Sequence, residues 1–331
     1  MPEKLIRKSK PGLLPASPIV SVIIPTKDRE EDLELTVGTI LRQSVLPSEL
    51  IIVDQSKGKE GGRRIEKLYA EEPQRVRDTL TLRYVNDPTI LGADVARNRG
   101  MEIAQGDIWL FLDDDVALEA NFLQEILAAY QRYPRVSGVS GIICNYRKPS
   151  WGYRSWASLF VCGPFYDERQ PIYWRANYLR EAEPIRVRKF TGALMSFRAE
   201  VIRGLRFYGA VSDGEDADFC ARLGPEAILV IAPRARLKHL KSRIGRPQDH
   251  WLHRFARENY YQYHRNWKTG FKNHLSYAWL NIGLGLIGLL ASVRRGSSAP
   301  WRALCDGARE GARASRVVRA TGGPTRFGWR F

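Results

Sequence analysis

The segment Ile108–Val116 has the sequence I-W-L-F-L-D-D-D-V, in which five apolar residues run directly into three carboxylates. The apolar run predicts a buried strand. Adjacent like charges repel one another and are costly to bury, so they must lie at the carboxyl end of that strand, where a cation can reach them. In open α/β sheets ligands bind at this edge. Hard oxygen ligands there suit Mg²⁺ or Mn²⁺, which would in turn hold a diphosphate. The alternative is a solvated acidic turn that caps the next helix.

Strands and helices alternate around this segment. Apolar, often β-branched runs predict further strands at residues 19–24, 50–53, 80–85 and 136–144. Apolar residues at helical spacing predict helices at residues 30–43, 61–72 and 119–133. The repeated strand–helix pattern predicts an α/β fold with a mostly parallel sheet flanked by helices. No G-x-G-x-x-G follows the first strand, which disfavours a dinucleotide-binding fold.

Polar residues follow the first two predicted strands, at Pro25 to Arg29 and at Asp54. A carboxylate just past a second strand is well placed to bind a ribose or a base edge. Further along, Gly92 allows a tight turn before a helix that carries Arg97 one turn in. The Arg97 side chain could point at a phosphate or at the acidic cluster; the alternative is a surface salt bridge.

A second acidic cluster, G-E-D-A-D, occupies residues 214–218. Ser212 with Glu215 fits a capping box, which would make Glu215 structural. A capping box does not require Asp216 and Asp218, so this cluster is a second candidate for chemistry.

Two single residues complete the candidate site. Gly192 lies in a predicted strand over residues 190–197, where a ligand backbone could approach closely. His239 lies among cations, about one strand after the second acidic cluster. A single histidine is more often structural than a ligand, but this setting makes His239 a candidate metal ligand.

The chain divides into three predicted parts. Residues 1–17 form a basic, flexible arm, residues 18–245 a catalytic domain, and residues 246–331 a basic helical extension. Within the domain, residues 146–186 are rich in aromatic side chains without a clear period. A long excursion of this kind from a compact domain is usually functional, and its aromatic faces suit sugar stacking or a lipid headgroup region. The alternative for several of these side chains is ordinary core packing.

Nearly all of the net charge lies in the last third. The chain carries +16, and residues 236–331 contain 19 Lys and Arg against 4 Asp and Glu, so 19 − 4 = +15. The apolar stretch Tyr277–Val293 is followed by Arg294 and Arg295, and a basic amphipathic helix is predicted at residues 301–318. These features favour an anionic membrane surface over nucleic acid, and surface binding over spanning because the stretch is short. The alternative is a helical hairpin packed on the domain.

Cysteine usage and the first residues favour the cytoplasm. The four cysteines, Cys144, Cys162, Cys220 and Cys305, form no C-x-x-C pair, and Met1 to Lys10 lack the apolar region of a secretory signal. We therefore expect a peripheral protein on the cytoplasmic face of a membrane.

Seven short motifs in this order resemble the family 2 inverting glycosyltransferases, which have the GT-A fold. The motifs are V-S-V-I-I-P-T (20–26), I-I-V-D-Q-S (51–56), G-A-D-V-A-R-N-R-G (92–100), F-L-D-D-D-V (111–116), F-T-G-A (190–193), G-E-D-A-D-F-C-A-R-L (214–223) and His239. The resemblance covers roughly residues 18–245 and includes a D-x-D and an E-D motif.

The resemblance implies a role for each matching position. Asp216 would be the general base, with Glu215 beside it. Asp113, Asp115 and His239 would hold Mn²⁺ or Mg²⁺. A nucleotide-diphosphate sugar, with UDP or dTDP expected, would be bound by Pro25, Thr26, Asp28, Asp54, Gly92, Arg97, Asp113, Asp114 and Gly192.

The expected function is inverting transfer of a sugar to a hydroxyl acceptor, a lipid-linked glycan of cell-surface polysaccharide synthesis. Two other classes stay open on sequence alone. A sugar-1-phosphate nucleotidyltransferase should carry a Gly-rich basic loop after the first strand, which Pro25 to Arg29 is not. A nucleic-acid-binding protein would explain the basic tail but not the acidic pocket, so no nucleic-acid partner is expected.

Overall fold

The computed structural model describes residues 11–146, 150–161, 182–208, 214–224, 226–242, 244, 250–267 and 270–321. Its strands are β1 (Val20–Thr26), β2 (Glu49–Asp54), β3 (Thr81–Asn86), β4 (Ile108–Leu112), β5 (Val116–Leu118), β6 (Gly138–Ile143), β7 (Ile185–Val187), β8 (Leu194–Arg198) and β9 (Leu229–His239). Its helices are α1 (Glu30–Leu41), α2 (Glu60–Ala70), α3 (Gln74–Thr79), α4 (Ala93–Ile103), α5 (Phe122–Arg132), α6 (Trp151–Phe160), α7 (Ala199–Ile202), α8 (Glu215–Ala221), α9 (Trp251–Gln262), α10 (Phe271–Arg295) and α11 (Ala299–Thr321).

Several predictions fall on residues outside this description. They concern residues 1–10 of the basic arm, residues 147–149 and 162–181 of the aromatic segment, Ser212, and the end of the chain after residue 321.

One mixed sheet forms the core of the described chain. Its order is β3-β2-β1-β4-β8-β6-β9-β5, and β7 pairs with β9 beside this path. The first four strands are parallel, as the strand–helix alternation predicts. Beyond them β8 runs antiparallel to both β4 and β6, and β9 runs parallel to β6. The parallel half therefore carries the first acidic cluster at its border with the mixed half.

Both faces of the sheet are covered, which explains why its strands are continuously apolar rather than alternating. In β1, Val22 and Ile24 belong to the cluster on one face, whereas Ile23 belongs to the cluster on the other. All seven residues of β1 are buried. The register aligns the carboxyl ends of β1, β2 and β3, so that Thr26, Asp54 and Asn86 lie side by side.

The C-terminal helices pack on one another and on the domain. A π-helical turn at Tyr263–Trp267 continues α9. Helices α9 and α11 approach closely, since a Cβ built on Gly307 would lie 2.1 Å from the His253 carbonyl oxygen. The start of the aromatic segment, α6, contacts α10, where the Trp156 indole N–H donates to the Gly283 carbonyl at 2.8 Å.

The apolar stretch 277–293 is part of the longer helix α10. Among the described residues, one helix, Phe271–Arg295, is long and apolar enough to cross a membrane. One face of α10 is buried against its neighbours, at Ser276, Leu280, Gly283, Leu284 and Gly288. One face of α10 therefore packs as the alternative of a helical hairpin predicts. The other face carries exposed apolar side chains, which this packing does not account for.

Candidate active site

The carboxyl end of β2 presents a buried carboxylate in a fixed orientation. Asp54 is 1% exposed. One carboxylate oxygen accepts hydrogen bonds from the backbone N–H of Ser56 at 2.8 Å and from its hydroxyl. The other accepts from the Tyr84 hydroxyl at 2.8 Å and the Asn86 amide at 3.3 Å. Asp54 therefore lies at the predicted edge of the sheet, and hydrogen bonds from Ser56 and from two residues of β3 fix the orientation of its carboxylate.

The loop after β1 is tied to the same network. Asp28 has a positive φ of 52°, and its N–H donates to the Ser56 hydroxyl at 2.7 Å. Pro25 is buried within β1. Gly92 has a φ of 104° at the start of α4, and its N–H donates to the Gln55 side chain at 2.8 Å. A left-handed conformation of this kind favours glycine, so the glycine sets the direction in which α4 leaves the sheet edge.

Asp114, the middle residue of the first acidic cluster, is engaged by the protein itself. Its carboxylate accepts from the Thr26 hydroxyl at 2.7 Å and pairs with the Arg29 guanidinium at 2.9 Å. Arg29 in turn donates to the Ile244 carbonyl at 3.1 Å. Burial raises the pKa of Asp114 to about 6, and Arg29 and Thr26 oppose that rise. Asp114 thus joins β1 to the end of β4.

Asp113, Asp115 and His239 bring one ligand atom each within 4.8 Å of one another. His239 reaches this place because it pairs in register with Val116, the residue after the three aspartates. Its Nε2 lies 2.9 Å from an Asp115 carboxylate oxygen, and the Ser242 N–H donates to the other at 2.8 Å. Two carboxylates and an imidazole are a donor set that fits Mn²⁺ or Mg²⁺.

The alternative of a solvated acidic turn is wrong. Asp114 and Asp115 are 3% and 1% exposed, and strand β5, not a helix, follows them. Buried carboxylates next to an imidazole need a cation or hydrogen-bond donors nearby.

Arg97 lies at the centre of the site and is 3% exposed. Its guanidinium pairs with Asp113 at 2.9 Å and with Glu215 at 3.0 Å, and it donates to the Gly192 carbonyl at 3.3 Å. The guanidinium also lies 5.6 Å from the Phe207 ring centroid. The alternative of a surface salt bridge is therefore wrong, because the cation joins the first acidic cluster to the second.

The second cluster places two carboxylates at the start of α8. Asp216 accepts from the Gly192 N–H and from the Ala217 N–H, both at 2.7 Å. Glu215 accepts from the Gly214 N–H at 3.1 Å. Burial raises the pKa of Glu215 to about 7, with Arg97 lowering it. Burial also raises the pKa of Asp216.

The capping-box alternative for Glu215 is not what the helix shows. Helix α8 begins at Glu215 with Gly214 as its N-cap, whereas a capping box would place the glutamate three residues inside the helix. The Gly192 backbone contacts both Arg97 and Asp216, through its carbonyl and its N–H, and its close approach to a ligand stays a prediction.

Several residues of the site were not singled out by the sequence. Each of them donates a hydrogen bond to a residue of the acidic clusters or to Asp54, and so helps to fix the orientation of the site. These residues are Arg29, Ser56, Tyr84, Asn86, Ser242, Gln262, Arg265 and Asn266. For the last three a signal was present, because polar residues at positions i, i+3 and i+4 share one helix face.

Known proteins share this architecture. A mannosyltransferase from Pyrobaculum calidifontis, solved in complex with GDP-Man and Mn²⁺, superposes with a TM-score of 0.57 over 96% of this chain and 91% of its own, at 18% identity. That likeness concerns the fold.

Two curated relatives match shorter regions. Validoxylamine A glucosyltransferase of Streptomyces hygroscopicus subsp. limoneus is 32% identical over 123 residues, which are 36% of this chain and 25% of that protein. GalNAc(5)-diNAcBac-PP-undecaprenol beta-1,3-glucosyltransferase of Campylobacter jejuni is 28% identical over 122 residues, 37% of this chain and 38% of that protein. The chain thus spans about a quarter to two fifths of the length of these relatives.

The model of the family "Glycosyl transferase family 2" matches residues 21–202. This region contains the parallel half of the sheet, Arg97, the first acidic cluster and Gly192, and it ends before Glu215, Asp216 and His239. Because the match covers more than half of the chain, this protein belongs to glycosyl transferase family 2 and has the GT-A fold.

Proposed function

We propose that this protein transfers a sugar from a nucleotide-diphosphate sugar to a hydroxyl group, with inversion at the anomeric carbon. The observation that supports this most is the bridge made by Arg97 between Asp113 and Glu215. The bridge holds a candidate metal site and a carboxylate pair close to each other. Family membership favours glycosyl transfer over sugar-1-phosphate nucleotidyl transfer.

On the donor side, Asp113, Asp115 and His239 would hold the cation, and Asp54 would contact the ribose or base. A bound Mn²⁺ or Mg²⁺ stabilises the negative charge that develops on the departing diphosphate. The hydrogen bonds from Tyr84 and Asn86 orient the Asp54 carboxylate before the donor arrives. UDP and dTDP are the donor nucleotides that we propose.

On the acceptor side, Asp216 is the proposed general base. The hydrogen bonds from Gly192 and Ala217 fix the orientation of its carboxylate. Glu215 is the weaker candidate because its carboxylate is already paired with Arg97. Asp216 takes the proton from the acceptor hydroxyl, and the hydroxyl oxygen of the acceptor attacks the anomeric carbon from the face opposite the diphosphate. Inversion follows, and no protein nucleophile is needed.

For the acceptor we propose a lipid-linked glycan, met at an anionic membrane surface on its cytoplasmic side. An exposed apolar face of α10, which we call the α10 face, supports this. It consists of Ile282, Leu286, Leu289, Leu290 and Val293, which are 47–73% exposed. The exposed cations Lys272, Arg294 and Arg295 flank it. Cations near an anionic surface contribute about 1 kcal/mol each.

We propose that α10 lies on the membrane rather than across it. Although its 25 residues would suffice to span, its other face is buried against protein. The Campylobacter relative is named for an undecaprenol-linked substrate, which supports a lipid-linked acceptor in cell-surface polysaccharide synthesis.

The test of the transfer reaction is a donor screen. The full-length protein is incubated with UDP-, dTDP- and GDP-sugars and Mn²⁺, and released nucleotide is measured together with the anomeric configuration of the product by NMR. We expect turnover with one donor class, an inverted product, and loss of turnover in EDTA.

Two variants make the screen specific for the metal site. Asp115→Asn should weaken Mn²⁺ binding and lower turnover strongly, because it removes a charged ligand, while Asp78→Asn, a matched change at an exposed position of α3, should do neither. Full turnover in excess EDTA, or a retained configuration, would contradict the proposed mechanism.

A further inference from the structure

Glu215 and Asp216 lie on α8, a helix too short to be stable without contacts to the rest of the protein. Helix α8 has seven residues, fewer than a helix needs to be stable in water without tertiary contacts. Its N-cap, Gly214, has a φ of 129°, which glycine adopts readily, and it supplies no side-chain hydrogen bond to cap the helix. The placement of Asp216 must therefore be determined by what packs against α8.

The last turn of α9 and its π-helical continuation supply those contacts. The Gln262 side-chain amide donates to the Gly214 carbonyl at 2.8 Å. A Cβ built on Gly214 would lie 3.2 Å from that amide and 3.0 Å from Glu258. The N-terminal end of α8 therefore packs directly against α9.

One turn further along, Asp218 is a buried anchor. It is 1% exposed, and its carboxylate accepts from Arg265 at 2.6 Å, from Asn266 at 3.2 Å and from Arg222 at 2.8 Å. Arg222 belongs to the end of α8 itself, so Arg265 and Asn266 are the partners that reach Asp218 from another element. They do so from the π-helical turn, and such turns occur frequently at functional sites.

We propose that Arg265, acting through Asp218, is the positioning residue that holds the base Asp216 in its hydrogen bond with Gly192. This inference rests on the proposed function, because it assumes that Asp216 is the base. Asp218 lies two residues after Asp216 on the same short helix, so a tilt of α8 moves the base. A misplacement of about 1 Å costs on the order of 100-fold in rate.

The experiment compares Arg265→Met and Arg265→Lys with Arg309→Met, all in the full-length chain. Arg309 is a matched control, because it makes an exposed pair with Asp306 at 2.8 Å on α11. We measure kcat, the donor dissociation constant by calorimetry, and amide hydrogen exchange of residues 215–221. Arg265→Met should lower kcat by about 10- to 100-fold and speed exchange in α8, with the donor constant changed less than about twofold. Arg265→Lys, which keeps a cation, should recover part of kcat.

Arg265→Met also leaves the buried Asp218 carboxylate with one partner fewer, which could lower kcat by itself. A double variant controls for this effect. If Arg265 acts through Asp218, Arg265→Met with Asp218→Asn should be no slower than the more impaired single variant. Unchanged exchange in residues 215–221 for Arg265→Met, or a kcat equal to that of Arg309→Met, would overturn the positioning role. Absence of transfer by the unsubstituted protein from every donor would instead overturn the proposed function, and the exchange measurement would still decide whether Arg265 orders α8.

Discussion

Arg97 organises the site at the scale of single residues. A buried guanidinium needs charged partners, since removing one partner of a buried pair costs about 3–5 kcal/mol. Here the partners come from β4 and α8, which lie more than a hundred positions apart in the chain. The cation offsets the repulsion between Asp113 and Glu215 by pairing with both, and Asp216 follows Glu215 directly in α8.

Asp216→Asn should abolish transfer while leaving donor binding nearly unchanged. The substitution removes the proton acceptor, and general base catalysis contributes about 10²- to 10⁴-fold. It keeps the size of the side chain and an oxygen that can accept from Gly192. Calorimetry with the donor and a product assay check the two halves of this expectation. If Asp216→Asn turns over normally and Glu215→Gln is inactive, the base is Glu215.

The pH dependence of kcat provides a second readout of the same pair. Burial raises the pKa values of both carboxyl groups, that of Glu215 to about 7, and interacting groups titrate as a pair. The base must be ionised, so kcat should fall as the pH is lowered, and the fall should begin at a higher pH than the pKa of an ordinary aspartate would give. An acid limb near pH 4, the range of an unperturbed aspartate, would contradict a buried pair as the base.

The sequence predicts which residues reach the site better than it predicts their partners. The three aspartates, Asp54 and Asp216 stand at strand or helix ends, and strand ends meet at one edge of a sheet. The contact of Thr26 with Asp114 joins residues 88 positions apart. Only the three-dimensional register decides such a pairing, because both side chains could equally have faced a ligand.

At the scale of elements, the parallel half was predictable and the mixed half was not. Strand β9 has 11 residues and contains Pro233 within it. Pro233 suggests an end there, since proline interrupts a ladder, but proline is tolerated at a bulge. The register between β6 and β9 shifts between Ser140 and Ile142, at the level of this proline, and the strand continues to His239.

Two glycines of the C-terminal helices give predictions of opposite sign for the change in stability on substitution by alanine. Gly307→Ala should destabilise the protein by about 1–3 kcal/mol, because the new Cβ would lie 2.1 Å from the His253 carbonyl oxygen. Gly285→Ala on α10 should stabilise by about 0.5–1 kcal/mol, because nothing lies within 4 Å of its Cβ position.

Thermal unfolding of both variants, measured by circular dichroism, checks these signs. A higher unfolding temperature for Gly307→Ala would mean that the two helices are further apart than described. Gly307→Ala should also lower transfer activity at temperatures below unfolding, since α9 supports α8.

At the scale of the whole molecule, the proposed membrane contact predicts that the full-length protein floats with anionic vesicles. A variant of the α10 face with Gln at Leu286, Leu289 and Leu290 should float poorly, because burial of apolar area on the membrane is lost. A control with Gln at three other exposed leucines, Leu13, Leu35 and Leu91, should float like the unsubstituted protein.

Salt separates the two contributions to this binding. High salt screens the attraction of the cations, so binding that persists in high salt but is lost in the α10-face variant depends on apolar contact. Point variants are preferable to truncation after Arg246, which would also remove Gln262 and Arg265, whose side chains contact Gly214 and Asp218. A full-length protein that stays soluble with anionic vesicles at low salt would contradict the membrane proposal.

The bridge made by Arg97 also limits how this protein can be divided by engineering. A fragment that ended near residue 202, where the family match ends, would keep Arg97 and Asp113 but lose Glu215. A chimera that borrowed the second half from a relative would inherit the same cation with a new set of carboxylates. The two parts of the chain that meet at Arg97 can therefore be exchanged only as a pair whose charges match at this one guanidinium.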